Sequence, residues 1–454
     1  MPSPFAEPIP YQPDSVKYLS KVRILGGAVL VDSCASLTQG GRYDIVSAEP
    51  AFSIKHVYNT SAQVGTEKPP TPFEKIQNQL SQTKKMGNPP LGLPFMGGFI
   101  GYLGYESGME LEQIEATTDK KIALPDIQLS WHEWAIVSDH QKQQCFLVAL
   151  PGYDHNKFTQ IKNMLIDTDE PTPANKPFKL DSPFASNTTF PQYNTAFEKV
   201  IDYIHAGDCY QVNLSQQFST SYSGDTWDAY QRLRQATPSP YSAYMEFDRG
   251  ALLSLSPEQF ISLEQNQVAT HPIKGTRPRG NTEKEDLDLA QALESSSKDR
   301  AENLMIVDLL RNDLGKSCVP GSIKVPELFK LHSFSNVHHL VSAVTGTLRS
   351  DSDSIDLLMG CFPGGSITGA PKRRAMEIIA ELEPHNRSIY CGSIGYIGSN
   401  GDINMNIAIR TLVADKDQIY CWGGGGIVAD SKVEMEYQEC FDKIDRLINC
   451  LPLS

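Results

Sequence analysis

Short strand-like runs and amphipathic helical runs follow one another along this chain without regular β-α alternation, and that irregular order argues against a parallel sheet wound by βαβ units. In the first third, "RILGGAVLVDS" (23–33), "YDIVSAEPAFSIKHV" (43–57) and "QLSWHEWAIVSDHQKQQCFLVAL" (128–150) predict strands separated by turn residues, and "PFEKIQNQLSQTKK" (72–85) predicts a helix. Further on, a helix opens at Pro191 with Tyr193, Phe197, Val200, Ile201 and Ile204 on one face and ends at Gly207. Strand patterns follow at 209–220 and 250–275, helices at about 296–314 and 369–383, strands at 388–399, 402–415 and 417–426, and a final helix from 433. The pattern predicts an α+β fold with antiparallel sheets and helices outside.

Residues 167–192 are rich in Pro, Ser, Thr and Asn. They predict a linker at 171–190 between an N-terminal region, 1–170, and a C-terminal region, 191–454. The net charge of -14 argues against non-specific nucleic-acid binding, which needs excess Lys and Arg. An anionic small substrate would need a local cationic or metal-lined pocket. The N-terminus carries no basic stretch followed by an apolar one, and "ILGGAVLV" is too short to span a bilayer. Nine scattered cysteines with no C-x-x-C pair predict reduced thiols in a cytoplasmic protein.

Four acidic residues form two pairs at i,i+3 spacing, Asp299 with Glu302 and Glu436 with Glu439, each pair on one helix face. Two such faces could converge on a hard cation through oxygen ligands, or each could be a solvated face with Lys298, Arg300 and Lys443 as ion partners. The segments "CFPGGSITGAPKRRAMEII" (361–379) and "WGGGGIVAD" (422–430) offer glycine-rich backbone to an anion, or are tight turns. Neither is a Walker A loop. Within 402–413, alternation puts Asn404, Asn406, Ala408 and Arg410 on one strand face, where Arg410 could grip a carboxylate. His339 is a proton shuttle or a structural histidine. Glu258, after a strand at "SLSPEQF", is a general acid if burial raises its pKa. Lys274 in "HPIKGTRPRG" (271–280) becomes a nucleophile only in an apolar or cation-rich setting that frees its amine of its proton.

Taken in order, "SLSPEQF", "HPIKGTRPRG", "DRAENLMIVDLLRNDLG", "HHLVSAVTGTL", "FPGGSITGAPKRRAMEIIAELEP", "CGSIGYI", "IAIRT" and "GGGIVADS" followed by spaced glutamates resemble the chorismate-utilising enzymes, over roughly 190–450. "GGFIGYLGYES" (97–107) extends the likeness to the anthranilate and aminodeoxychorismate synthases. The resemblance implies two packed, mostly antiparallel sheets with helices outside. Isochorismate and salicylate synthases carry a water-activating lysine where this chain has Gln211, and anthranilate synthases carry alanine where it has Lys274. That places the likeness with the aminodeoxychorismate branch, with the anthranilate synthase large subunit as the alternative. The resemblance further implies Lys274 as a nucleophile on chorismate, Glu258 as proton donor and His339 as a proton-transfer group. It implies Mg²⁺ at Glu302 and Glu439 with Asp299 and Glu436 nearby, and substrate contacts from Arg410, Tyr396, Gly426, Thr276 and Gly365. No glutaminase motif surrounds any cysteine, so a separate glutamine amidotransferase subunit is the expected ammonia source. "VLVDS", ending at Ser33, and "TPSPYSAYM" (237–245), with Pro240 and Tyr241, resemble the segments that form a tryptophan pocket in anthranilate synthases.

Overall fold

The computed structural model describes residues 4–38, 41–58, 70–118, 120–167, 176–333 and 337–454. The predicted linker lies partly outside them, at 171–175. Two sheets dominate. Among the described residues one has 13 strands and the other 10, and the pairings within both are antiparallel. Both sheets take strands from before residue 170 and after residue 190. The helices Phe190–His205 and Val433–Asn449 pack on the larger sheet, and Ser297–Gly315 packs on the smaller one.

Local pattern explains most elements. In Phe190–His205, Tyr193, Phe197 and Val200 are buried on the predicted face, and Thr189 and Gln192 form a capping box. Ser297–Gly315 starts at a Ser296 side chain that accepts from the Asp299 amide. In Val433–Asn449 the buried set is Glu436, Cys440, Ile444 and Leu447, with Tyr437 and Phe441 at its margin. The buried face therefore carries a glutamate into the interior. The segment 23–28 departs from its strand pattern: Arg23–Leu25 is a helical turn and Ile24 is exposed, so the strand begins at Val29.

Crossings between the two sheets position the functional side chains. Ile127–His132 belongs to the smaller sheet and Trp134–Asp139 to the larger, with only Glu133 between them. Gly250–Ser256 lies in the larger sheet and Gln259–Glu264 in the smaller, with Pro257 and Glu258 at the crossing. Ile403–Asn406 lies in the smaller sheet and Thr411–Asp415 in the larger. The predicted continuous strand 402–413 is thus broken, and Arg410 stands at φ +50°, outside any strand. Its direction is set by this crossing and not by alternation along one strand. The last two crossings touch: the Ile407 amide donates to the Glu258 carbonyl at 3.0 Å, and the Leu255 amide to the Arg410 carbonyl at 3.0 Å.

Candidate active site

Lys274 lies on the edge strand Ile273–Pro278, whose pairing with Val337–Thr347 is irregular between Ile273 and Thr276. Gly275 takes φ +88° there, a conformation that glycine adopts without strain. The irregularity re-aims the lysine inward. Its Nζ donates to the Ser366 carbonyl at 3.2 Å. Burial lowers the Lys274 pKa and Lys443 lowers it further, against the attraction of Glu258, Glu302 and Glu439. Glu258, at the crossing, is buried, and the Ser366 hydroxyl donates to its Oε1 at 2.9 Å. Burial raises its pKa, while Lys274 and Ser366 pull it down. An acid pushed toward its protonated form thus stands beside an amine pushed toward its free form, and both shifts favour the uncharged pair.

Thr276 Oγ1 and His339 Nδ1 are 2.8 Å apart. Burial, helped by Arg410, holds His339 down to about 4, so its ring is neutral at pH 7. Arg410 is half-buried. Burial and Arg446 lower its pKa and Glu258 raises it, so it faces the same group. Its guanidinium makes no hydrogen bond or ion pair among the described residues, which leaves it available to an anion. Gly365 and Ser366 occupy the buried turn Gly365–Ile367 beneath Leu309 of the long helix.

The glycine run "WGGGG" lies in the expected strand and is not a tight turn: Gln418–Ile427 pairs with Gln211–Ser223, Gly426 opposite Asn213. A Cβ on Gly426 would lie 2.4 Å from Gln211 Nε2, so this position leaves room for the glutamine. Tyr396 stands apart from the Lys274 group. Its ring packs edge-on against Phe95 at 5.3 Å, and the charges nearest it are Asp402 and Glu264.

The acidic pairs approach one another. Glu302 and Glu436 are both pushed upward, by burial first; Glu439 raises both, and Asp299 adds to Glu302. Asp299 is paired with Arg277 at 2.9 Å. Glu436 Oε1 accepts from Ser431 at 2.7 Å, and its buried Oε2 has no partner. Glu439 pairs with Lys443 at 2.7 Å, and Lys443 also donates to the Gly424 carbonyl at 2.7 Å. Among the described residues no three acidic, histidine or cysteine side chains already sit at metal-site spacing. Donor type and charge nevertheless fit a hard cation: carboxylate oxygens, mutual repulsion, and one buried oxygen left open.

Ser33 and Tyr241 meet at one end of adjacent strands, since Asp32 pairs with Ser242. The Ser33 hydroxyl donates to Asp44 at 2.7 Å, and Asp44 also meets His140 at 2.7 Å. One residue escaped the sequence reading, Ser366, although it had a visible signal, a hydroxyl within a glycine turn. Lys443, expected as an ion partner of the acidic pair, is one.

Residues 32–449 match the model of the chorismate binding enzyme family. This chain belongs to that family. It is 45% identical over 99% of its length to the aminodeoxychorismate synthase component 1 of Salmonella typhimurium, covering 98% of that protein. It is 44% identical over 96% of its length to the same component of Escherichia coli, covering 95% of it. Among solved structures, anthranilate synthase component I of Streptococcus pneumoniae matches with TM-score 0.77 and 31% identity, over 90% of this chain and 92% of that one. The menaquinone-specific isochorismate synthase of Escherichia coli shares the fold, with TM-score 0.75 at 17% identity over 99% of this chain and 95% of that one. This chorismate binding enzyme has the expected α+β architecture of two packed, mostly antiparallel sheets. No helix among its described residues is long and apolar enough to cross a membrane.

Proposed function

We propose that this chain is component 1 of an aminodeoxychorismate synthase, converting chorismate and ammonia to 4-amino-4-deoxychorismate. One observation carries the reading: a lysine amine and a carboxyl, both driven toward the uncharged state, meet on Ser366 beside an unpaired arginine. An anthranilate synthase large subunit, the alternative, is expected to have alanine where this chain has Lys274.

In the proposed reaction the Lys274 amine bonds to C2 of chorismate. The two ring double bonds shift and the C4–O bond breaks. Glu258 gives its proton to the departing hydroxyl, which leaves as water, and then takes a proton from the lysine nitrogen. Ammonia attacks C4, the double bonds shift back, and the lysine leaves with a proton returned by Glu258, which is restored as acid by a proton from the new C4 ammonium. One difficult displacement becomes two easier ones. Arg410 grips the enolpyruvyl carboxylate. Glu302, Glu436 and Glu439 would hold Mg²⁺, with Asp299 nearby. When bound, the ion neutralises and orients the ring carboxylate. Ammonia comes from a glutamine amidotransferase subunit, in keeping with relatives that are named as components.

The test is incubation with chorismate, Mg²⁺ and ammonium, followed by mass analysis. Aminodeoxychorismate supports the reading; anthranilate and pyruvate overturn it. The rate should be bell-shaped in pH, because the productive state holds one proton across Glu258 and Lys274. The raised carboxyl moves the acid limb up, and the lowered amine moves the alkaline limb down. Both limbs should fall inside the interval from about 4.3 to about 10.4 that ordinary Glu and Lys would bound.

Tryptophan at Ser33, Pro240 and Tyr241 is the second element of this reading, supported by the convergence of those strand ends. Tryptophan at 100 times its Kd should stabilise the fold by about 2.7 kcal/mol and raise Tm. Unfolded protein should otherwise release tryptophan already bound. Neither result would leave the site an ordinary packed core.

A further inference from the structure

We propose that Ser366 is a positioning residue that aligns the proton donor and the nucleophile through one backbone unit, its hydroxyl on Glu258 and its carbonyl on Lys274. The inference rests on the proposed function and adds a residue to it. Among the described residues, Ser366 is the one whose own atoms hydrogen-bond both side chains, at 2.9 Å and 3.2 Å. It is itself buried.

The turn that carries it is held on both flanks by buried contacts. Arg387 donates to the Ile367 carbonyl at 3.2 Å, and Thr368 Oγ1 to the Gly364 carbonyl at 3.1 Å. Downstream, Lys372 Nζ binds Asp313 at 2.7 Å and the Cys361 carbonyl at 2.9 Å, tying both ends of the segment to the long helix. Glu258 is fixed independently: Ser256 Oγ accepts from its amide at 3.2 Å and donates to the Ile407 carbonyl at 2.6 Å. The hydroxyl of Ser366 is therefore presented to the carboxyl by surroundings that need not move.

A hydroxyl can serve both states of the acid. It donates to Glu258 as carboxylate and, by rotating, accepts from Glu258 as acid. Both protonation states of the reaction cycle are thus served from one position. A donor to the carboxylate stabilises the charge that appears when Glu258 gives up its proton, in a buried place where water supplies no substitute. The carbonyl accepts from the lysine nitrogen whether it is ammonium or amine, and so keeps the nucleophile beside the acid.

The experiment uses the full chain with chorismate and Mg²⁺ and no ammonia, following formation of the protein adduct against pH. Ser366→Ala should form it roughly 10- to 100-fold more slowly, the loss expected when a charge-stabilising hydrogen bond is removed. Losing a donor to the carboxylate raises the Glu258 pKa. Because the pair titrates together, at least one limb of the bell should move to higher pH and neither to lower. Chorismate affinity should be unchanged. Ser366→Thr, which keeps the hydroxyl, should restore both rate and profile. If Ser366→Ala does not fold, Ser366→Cys, a weak donor, should show the same shift. A wild-type pH profile in Ser366→Ala or Ser366→Cys, or lost chorismate binding in Ser366→Ala, overturns the proposal. Failure of the unmodified chain to form any adduct counts instead against the proposed function.

Discussion

Lys274→Ala should abolish the covalent adduct and lower turnover by roughly 10³-fold or more, the scale on which removal of a nucleophile acts. Withholding ammonia should trap the intermediate. Intact protein then gains the mass of chorismate less water, and peptide mapping places it in "HPIKGTRPR" (271–279). Chorismate should still bind the variant, because in the proposed reaction Arg410 and the Mg²⁺ that the glutamates would hold take the carboxylate contacts. Lys274→Arg should fail equally, since a guanidinium stays protonated and cannot attack. The competing role is an electrostatic clamp. A clamp would let arginine retain substantial activity and would leave no adduct in the unmodified chain. The structure favours the nucleophile for a specific reason: burial and Lys443 lower the Lys274 pKa, whereas a clamp works best with its charge secure.

Glu302→Ala and Glu439→Ala should each lower activity by roughly 10²-fold or more without loss of the fold. Both side chains are at least partly exposed, so neither truncation empties the core. The variants should also lose the Mg²⁺-dependent part of chorismate affinity, measured by equilibrium binding. That readout does not depend on turnover. Chelation of Mg²⁺ from the unmodified chain should reproduce it. Near-normal activity with unchanged Mg²⁺ dependence would show that the substituted residue is not a ligand. Glu436→Gln tests the open buried oxygen separately, because the amide preserves size and the Ser431 contact while removing the charge.

Much of the site was legible before any fold was drawn. Asp299 with Glu302 and Glu436 with Glu439 are i,i+3 pairs on helices with local signals, the Ser296 cap of the first and the apolar face of the last. The hydroxyl of Ser366 stood in plain view within "GGSITGAP" without any sign of what it would touch. One reading rested on local periodicity and went astray for that reason. Alternation placed Arg410 on the face of a strand, yet the chain leaves the smaller sheet after Asn406 and joins the larger at Thr411, so no strand contains it. The strand expected at 417–426 is present with its glycines, although glycine weakens the strand signal, because a long partner, Gln211–Ser223, pairs with it. Tyr396 lies on a strand as expected, but its ring packs toward Phe95.

The sequence by itself determined which chemical groups this protein owns: a lysine, an acid, an arginine and two carboxylate pairs, set in segments whose type is dictated by neighbours a few residues away. Tertiary structure alone decided that Glu258 and Arg410 stand side by side, at two crossings between sheets separated by some 150 residues of chain. It also decided that Lys274 turns inward at a strand irregularity. Helix faces and strand alternation are written within a few residues. Sheet membership is a pairing between distant segments, and burial is its consequence. The pKa values of Lys274 and Glu258 depend on that burial, and so the reactivity of this site is a property of the fold.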